Sequence, residues 1–329
     1  MKIIRTFSTT LLALGMALAG SPGFAADPYP TKPVTLMVPY PPGGLSDSIA
    51  RALSTPLGKA LGQPVIVENL GGVSGALAAQ KLLNTPADGS MIFLGSPGEL
   101  ILPPLANAAV RYRTEDFRML TQLTVNPLVL VARKDLPANT VDELVALGRK
   151  PGAKPFSYGS VGIGSMYHLI TETMAAQTGI AVTHVPYKGM APLVQDMGGD
   201  NIDFAVLPYA TSFRGMADAG RMKLLGWLSD QRSALDKSVP AFGEGQALKH
   251  FNYQTWAGIM VKKGTPEDIV QKLHKALAET IPNPDYRKTL EATGSEIAPL
   301  NSLAEASRLM EQETARFRTI ARNIKLEPQ

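Results

Sequence analysis

The chain has 329 residues, of which 45% are hydrophobic and 18% are charged, and its formal net charge is +4 at pH 7. This composition is typical of a globular protein with room for two domains. The absence of cysteine excludes disulfides, cysteine-dependent catalysis, zinc–thiolate sites and lipidation of an N-terminal cysteine. The basic residues are dispersed, so the sequence predicts no nucleic-acid partner.

Residues 1–25 have the three-part pattern of a secretory signal peptide. Lys2 and Arg5 form a charged n-region, and Leu11–Ala19 is an apolar run too short to span a bilayer. Gly23-Phe-Ala25 places small residues at positions −3 and −1 of a cleavage site. We therefore expect cleavage after Ala25 and a periplasmic location. The alternative is an ordinary buried N-terminal helix.

Short β-rich runs then alternate with helical patterns, which favours an α/β fold with parallel sheets and helices on both faces. The predicted strands are Val34–Val38, Val65–Glu68, Met91–Leu94, Leu128–Ala132, Phe156–Gly159, Val182–Val185, Phe204–Leu207, Lys223–Leu228 and Gly258–Val261. The predicted helices are Asp47–Leu61, Gly75–Leu83, Val141–Arg149, Ser165–Thr178, Ala191–Gly198, Pro266–Thr280 and Leu303–Asn323.

Two segments are candidates for strands that cross from one lobe into another. The first is Arg118–Arg133, and the second lies near Phe251–Val261. Two crossings predict that one lobe is inserted within the other, with a cleft between them. We place lobe 1 at residues 26–125 and 249–329, and the inserted lobe 2 at residues 126–248. Ligands of open α/β sheets bind beyond the carboxyl ends of the strands, so the loops there are candidate sites.

Two glycine-rich loops each follow a predicted strand and precede a predicted helix. They are Pro41-Pro-Gly-Gly-Leu-Ser-Asp47 and Gly159-Ser-Val-Gly-Ile-Gly-Ser165. Glycine permits close backbone approach, and a helix N-terminus favours an anion. The hydroxyls of Ser46, Ser160 and Ser165 can also donate to a carboxylate. Together the loops predict a clamp for an acid with a carboxylate at one or both ends, whereas the alternative is two ordinary turns.

Other polar residues near these loops have two interpretations each. Lys188 and Tyr187, in His184-Val-Pro-Tyr-Lys-Gly189, offer a charge and a phenol to a ligand, but such a lysine is often a solvated loop residue. His168 either contacts the ligand or only packs in the first turn of its helix. Asp47 is interpreted as a helix cap or turn anchor, because no partner carboxylate supports a role as a catalytic acid.

The sequence favours binding over catalysis. Ser160 is not in a G-x-S-x-G elbow, and neither a Walker A motif nor a G-x-G-x-x-G motif is present. His168, His184, His250 and His274 lack metal-ligand spacing. We therefore predict no enzymatic activity, no cofactor and no metal. The competing hypothesis is a secreted serine hydrolase that uses Ser160 or Ser165 with His168.

Taken together, these segments resemble the receptors of tripartite tricarboxylate transporters, the Bug or TctC-like family, along essentially the whole mature chain. The stretches that carry the resemblance are Val38-Pro39, Pro42-Gly-Gly-Leu-Ser-Asp47, Ala50-Arg51, Gly62-Gln-Pro-Val-Ile-Val-Glu-Asn69, Ala87-Asp-Gly89, Tyr112-Arg-Thr-Glu-Asp-Phe117, Tyr158-Gly-Ser-Val-Gly-Ile-Gly-Ser165, His168-Leu169, His184-Val-Pro-Tyr-Lys-Gly189 and Trp256-Ala-Gly258. Each stretch is weak alone, but their order and spacing are specific.

The resemblance implies a type II periplasmic-binding-protein fold, in which two Rossmann-like lobes are joined by two crossing strands around a ligand cleft. It also implies that backbone amides of the Pro-Gly-Gly loop hold a carboxylate while the second lobe closes over it. The implied first-lobe residues are Pro42, Gly43, Gly44, Ser46 and Asp47, with Tyr40 and Ser96 beside them. The implied second-lobe residues are Ser160, Gly164, Ser165 and His168, with Tyr187 and Lys188 nearby.

Two departures from the family pattern bear on the ligand. Asn69-Leu-Gly-Gly-Val-Ser-Gly75 replaces the family's Asn-Arg-Pro-Gly-Ala-Gly-Gly, and Leu207-Pro-Tyr209 replaces a segment that often carries an aspartate. Both favour an acid without a free amine, and the tyrosines, including Tyr40, would tolerate an aromatic one. The expected function is delivery of a di-, tri- or aromatic carboxylate to an inner-membrane permease by a monomer. The alternative is a sensor subunit that presents the ligand to a signalling protein.

Overall fold

A computed structural model describes residues 29–323 and residue 326. The predicted signal peptide and its cleavage position after Ala25 lie outside the described residues. Within the described part, no helix is both long and apolar enough to cross a membrane.

The described residues form an alternating series of strands and helices, as the sequence predicts. The strands are β1 (Val34–Val38), β2 (Val65–Asn69), β3 (Met91–Gly95), β4 (Phe117–Arg133), β5 (Phe156–Ser160), β6 (Val182–Pro186), β7 (Phe204–Pro208), β8 (Met222–Trp227), β9 (Gln254–Lys262) and β10 (Glu296–Ile297). The helices are α1 (Leu45–Leu61), α2 (Ala76–Asn84), α3 (Pro97–Leu100), α4 (Pro103–Ala106), α5 (Val141–Gly148), α6 (Met166–Thr178), α7 (Met190–Gly198), α8 (Thr211–Asp218), α9 (Glu267–Thr280), α10 (Pro284–Glu291) and α11 (Leu303–Asn323).

The strands lie in the order β2-β1-β3-β9-β4-β7-β5-β6, with β8 and β10 also paired to β4. β1 is parallel to β2 and β3, and β5 is parallel to β6 and β7, so each half of the sheet has a parallel core. The long strand β4 joins the halves. Its residues Phe117–Pro127 pair with β9, and Leu128–Arg133 pair with β7 and β8. The predicted α/β fold, with two lobes around a crossing strand, is confirmed.

Apolar side chains explain why these elements pack as they do. Apolar residues recur at every fourth position of α1, and Ile49, Leu53 and Leu57 are almost completely buried. Burial of each such side chain contributes about 1.5–3 kcal/mol. The largest of three apolar clusters contains Phe93 and Trp256 from one half of the sheet and Phe204 from the other. The core is therefore continuous beneath the junction of the two halves.

Candidate functional site

A cleft of about 1810 Å³ lies where the carboxyl ends of the parallel strands from both halves meet. The loop after β1, the loop after β5 and the loop after β6 all contribute to its wall. Among the described residues that line the cleft, none is aspartate or glutamate, whereas Lys188, at the end of β6, is cationic. The cleft therefore favours an anion over a cation.

The loop after β1 is held in shape by Asp47, which is buried behind it. The Gly43 amide donates to Asp47 Oδ2 at 3.0 Å, and Arg51 Nε donates to the same oxygen at 2.9 Å. Burial by itself raises the pKa of the Asp47 carboxyl, but these hydrogen bonds outweigh it and hold that pKa below its ordinary value. Asp47 is not among the cleft-lining residues. Its geometry is that of a turn anchor.

The other residues of this loop face the cleft. Pro42, Gly43, Gly44 and Ser46 line it, and Gly43 has a φ of 87°, which glycine adopts without strain. Helix α1 begins at Leu45 with Gly44 as its N-cap, and no side chain caps it. The first amides of a helix have no partner within the helix. The first turn of α1 therefore offers backbone donors to an anion.

The neighbouring loop between β2 and α2 also lines the cleft, although the sequence predicted no role for it beyond a departure from the family pattern. Val73 and Ser74 have φ values of 50° and 52°, a conformation that is strained in a β-branched residue such as Val73. A side chain at Gly75 would lie 2.6 Å from Glu99 Cβ, so only glycine fits there. This loop is therefore held tightly against the floor of the cleft.

A buried acid lies under Tyr40 and Ser96, which both line the cleft. Tyr40 donates to Glu99 Oε2 at 3.1 Å, and the Ser96 hydroxyl donates to the same oxygen at 2.8 Å. The Ser96 amide donates to the other carboxyl oxygen. Burial raises the pKa of Glu99 to about 8, although these hydrogen bonds act in the opposite direction. The phenol and hydroxyl are thus fixed in position from below.

The loop after β5 presents backbone to the cleft and keeps its polar side chains behind the wall. Val161 and Gly162 line the cleft, but Ser160 does not, and its hydroxyl lies 2.6 Å from His184 Nε2. Ser160 is fully buried. The rings of His168 and His184 stack with centroids 4.1 Å apart. Burial, followed by the proximity of His168, lowers the pKa of His184 to about 4, so His184 is neutral near pH 7.

The remaining predicted residues of this loop are also behind the wall. The Gly164 amide donates to His168 Nδ1 at 3.0 Å, and Ser165 is the N-cap of α6, where its hydroxyl accepts from the His168 amide at 3.4 Å. Neither Gly164, Ser165 nor His168 lines the cleft. Their contacts with a ligand stay predictions. In the described structure they shape the loop that carries Val161 and Gly162.

Tyr187 and Lys188 lie in the cleft wall at the end of β6. The Tyr187 amide donates to the Ser160 carbonyl at 2.8 Å, and its phenol donates to Asp196 Oδ2 at 2.8 Å. The phenol is thus committed to Asp196, which leaves its ring as the surface for a ligand. Lys188 is exposed.

Sequence reasoning missed several residues on the floor of the cleft. They are Asn126, Tyr167, Thr255 and Trp256. Asn126 and Thr255 are register partners on the neighbouring strands β4 and β9. The sequence did contain a signal for Asn126, Thr255 and Trp256. Two crossing strands were predicted, and a cleft between two lobes has such strands as its floor.

Comparison with known proteins agrees with this geometry. The family model described as the tripartite tricarboxylate transporter family receptor, TctC, matches residues 49–326. The protein BugT of Bordetella pertussis is 31% identical over 296 residues, which cover 87% of this chain and 89% of BugT. An Agrobacterium vitis protein from the TAR-I ttuE-ttuC' intergenic region is 34% identical over 260 residues, which cover 79% of this chain and 74% of that protein.

Solved structures show the same architecture. The periplasmic binding protein BugD superposes with a TM-score of 0.81 at 27% identity, over 92% of this chain and all of BugD. An R. palustris protein solved with adipate gives a TM-score of 0.82 at 28% identity, over 92% of this chain and all of that chain. MatC from Rhodopseudomonas palustris, solved with bound malate, gives 0.80 at 25% identity, over 89% of this chain and 99% of MatC.

The fold and the cleft define a two-lobed solute-binding protein. Within that class, the chain belongs to the TctC family of tripartite tricarboxylate transporter receptors, since the family model covers most of it. The resemblance inferred from the sequence is therefore confirmed.

Proposed function

We propose that this chain is a periplasmic solute-binding protein that captures a small organic carboxylate and delivers it to a tripartite permease in the inner membrane. The observation that carries the proposal is the cleft itself. It combines the uncapped N-terminus of α1 with the cationic side chain of Lys188, and no acidic side chain of the described residues lines it. The adipate and malate in the related structures support the same ligand class.

In this proposal one carboxylate of the ligand lies at the loop after β1. The amides that follow Gly43 and the hydroxyl of Ser46 donate to it, while Asp47 holds the loop in shape. The backbone of Val161 and Gly162 covers the ligand from the opposite wall. Tyr40, Ser96, Tyr187 and Lys188 contact the rest of the ligand, whereas Ser160, Gly164, Ser165 and His168 act indirectly by positioning their loop.

The lobe boundaries proposed from the sequence, residues 26–125 and 249–329 for one lobe and residues 126–248 for the other, have support in the sheet. β4 exchanges its β9 partner for β7 and β8 at Pro127 and Leu128. Closure would then bend the chain near this exchange of partners. We further propose that the protein acts as a monomer and without a cofactor.

The competing hydrolase hypothesis has one geometric feature in its favour, which is the distance of 2.6 Å between Ser160 Oγ and His184 Nε2. A nucleophile must also reach its substrate, and Ser160 is fully buried and does not line the cleft. We propose that the pair is structural and that the ligand leaves unchanged. Labelling of Ser160 by a serine-reactive phosphonate would contradict this.

Direct binding tests the proposed function. The periplasmic form of the protein is unfolded, freed of ligand, refolded and titrated calorimetrically with mono-, di- and tricarboxylates. We expect saturable 1:1 binding of at least one acid, and no binding of its methyl ester, because the ester lacks the charge that the α1 N-terminus favours. Equal binding of acid and ester, or no response to any acid, would contradict the proposal.

A second experiment separates transport from signalling. The permease subunits of a tripartite tricarboxylate transporter from the same organism are reconstituted in vesicles with the refolded protein and the radiolabelled acid. Uptake that requires the protein supports delivery to a permease. Uptake that is independent of it, together with activation of a membrane kinase by the liganded protein, supports the sensor alternative instead.

A further inference from the structure

We propose that Asn126 accepts a hydrogen bond from a hydroxyl group on the ligand. The natural solute is then a hydroxylated acid without an ammonium group. This inference rests on the proposed function and narrows its ligand class. Asn126 lies on β4, the strand that joins the two halves of the sheet, and it lines the cleft although only 3% of its surface is exposed.

The strand order places Asn126 in the middle of the cleft floor. β4 has β9, β3 and β1 on one side and β7, β5 and β6 on the other. On the β9 side of β4, Asn126 is the register partner of Thr255. On the β7 side, the carbonyl of Pro127 accepts a hydrogen bond from the Tyr209 amide at 2.9 Å. A ligand held by the loops after β1 and β5 therefore lies over Asn126.

The nitrogen of the Asn126 side-chain amide has a hydrogen-bond partner, and the oxygen has none among the described residues. Its Nδ2 donates to the hydroxyl oxygen of Thr124 at 3.1 Å. Its Oδ1 is buried and has no hydrogen-bond partner in the described part of the chain. Buried polar atoms in proteins are nearly always paired, so an unpaired acceptor in a binding cleft points to a donor that arrives with the ligand.

This acceptor differs from the other unpaired atoms of the described structure. Asp47 Oδ1, Thr171 Oγ1 and Tyr286 OH are also buried without a partner. None of these three residues lines the cleft. Of the four residues with such an atom, Asn126 is thus the one that lines the cleft.

The charges around the cleft decide which donor fits. An ammonium group needs a counter-charge when it leaves water. No aspartate or glutamate of the described residues lines the cleft, and Lys188 would repel an ammonium group. A hydroxyl is neutral and donates one hydrogen bond, which is what a single carbonyl oxygen requires. The inferred solute is therefore a hydroxy acid and not an amino acid.

Matched acids that differ only at this group test the inference on the refolded protein. The pairs are malate with succinate and 4-hydroxybenzoate with benzoate, and aspartate is the amino analogue of malate. We expect the hydroxy acid of at least one pair to bind about tenfold or more tightly than its partner, since a site built to pair a hydroxyl rejects the analogue that lacks it. Aspartate should bind at least tenfold more weakly than malate.

Variants assign the preference to Asn126. Asn126→Leu keeps the size of the side chain and removes the acceptor, so the hydroxy-to-unsubstituted affinity ratio should fall to about one to three while the unsubstituted acid keeps its affinity. Asn84→Leu, at an exposed residue at the end of α2, is the control and should leave the ratio unchanged. If Asn126→Leu does not fold, Thr124→Val, which removes the partner that orients the amide, should lower the same ratio.

The possible failures are distinguishable. If no acid binds the wild-type protein, the proposed function is wrong. If acids bind but every hydroxy acid binds no better than its partner, a water molecule or a reversed amide satisfies Asn126, and this inference is wrong while the proposed function stands. Two other results also overturn the inference. One is tight binding of aspartate, and the other is a hydroxy-to-unsubstituted affinity ratio that is unchanged in both Asn126→Leu and Thr124→Val.

Discussion

Gly164 and Ala106 are in direct contact between the two halves of the structure. A side chain on Gly164, whose φ is 73°, would place its Cβ 2.2 Å from the Cβ of Ala106. Gly164 belongs to the loop after β5, and Ala106 ends α4, so the contact joins segments that pack on different halves of the sheet. Nearby, a Cβ on Gly162 would lie 3.5 Å from Ser74 Oγ. Gly162 and Ser74 both line the cleft, so its two walls approach each other closely in the described conformation.

This contact predicts that Gly164→Ala favours an open cleft. The added methyl group cannot fit against Ala106, so we expect weaker ligand binding by about tenfold and a larger radius of gyration in the presence of ligand by small-angle X-ray scattering. Gly152→Ala is the matched control, because Gly152 has nearly the same φ, 74°, and nothing lies within 4 Å of its added Cβ. Both variants share the backbone strain of about 1 kcal/mol. Equal binding by the two variants would contradict the contact.

Asp47→Ala should loosen the loop after β1. Loss of the hydrogen bond from the Gly43 amide leaves that loop without its anchor, so we expect a loss of stability of about 1–3 kcal/mol and weaker carboxylate binding. Chemical denaturation and calorimetry measure the two effects. Arg51→Ala removes only the ion pair of a largely exposed side chain, so it should destabilise the protein much less than Asp47→Ala. If Arg51→Ala weakens binding as much as Asp47→Ala, the ion pair and not the loop contact is responsible.

Ser46→Ala should mainly weaken ligand binding, whereas Ser160→Ala should mainly lower the stability of the protein. Ser46 lines the cleft, so loss of its hydroxyl should weaken carboxylate binding about tenfold with little change in stability. Ser160 is buried and pairs with His184, so its loss should cost about 1 kcal/mol of stability and leave affinity within about threefold. Thermal denaturation and titration of both variants give the comparison. A large loss of affinity in Ser160→Ala without destabilisation would place its hydroxyl on the ligand.

Glu99 predicts a pH dependence of stability with a definite sign. Its pKa is raised from 4.5 to about 8 by burial, so between these values the folded protein keeps a proton that the unfolded chain releases. The free energy of unfolding therefore falls as pH rises through this window, and the contribution is fully present below about pH 4.5. The difference in stability between the wild type and Glu99→Gln should shrink or reverse from about pH 5 to about pH 8. A flat difference for Glu99→Gln across this range would contradict the raised pKa.

Most of the fold could be predicted because apolar periodicity determines it. The run Val34–Val38 is apolar and buried in a parallel sheet, and the helix faces follow from spacing. The helices α3, α4, α8 and α10 were not predicted. α3 and α4 have four residues each, which is too short for a period to be visible, and each has proline in its first turn. Tertiary packing and not pattern decides such segments.

The site could be predicted only in part, and the reason is orientation. The rule that ligands lie beyond the carboxyl ends of strands located the loops that contain Ser46 and Ser160. It could not tell that Ser46 faces the cleft while Ser160 turns inward, because that choice depends on His184, which is distant in sequence and provides the buried partner. Asn126 was missed because nothing in its local sequence marks an unpaired amide oxygen.

The long strand β4 also has a consequence for folding. Its backbone pairs with both halves of the sheet, and the largest apolar cluster contains side chains from both. A half of the protein produced without the other would keep β4 with one unpaired edge and an exposed apolar face, which promotes aggregation. Despite its two lobes, the chain should therefore melt as one cooperative unit, and attempts to graft either lobe onto another protein should have to carry β4 with it.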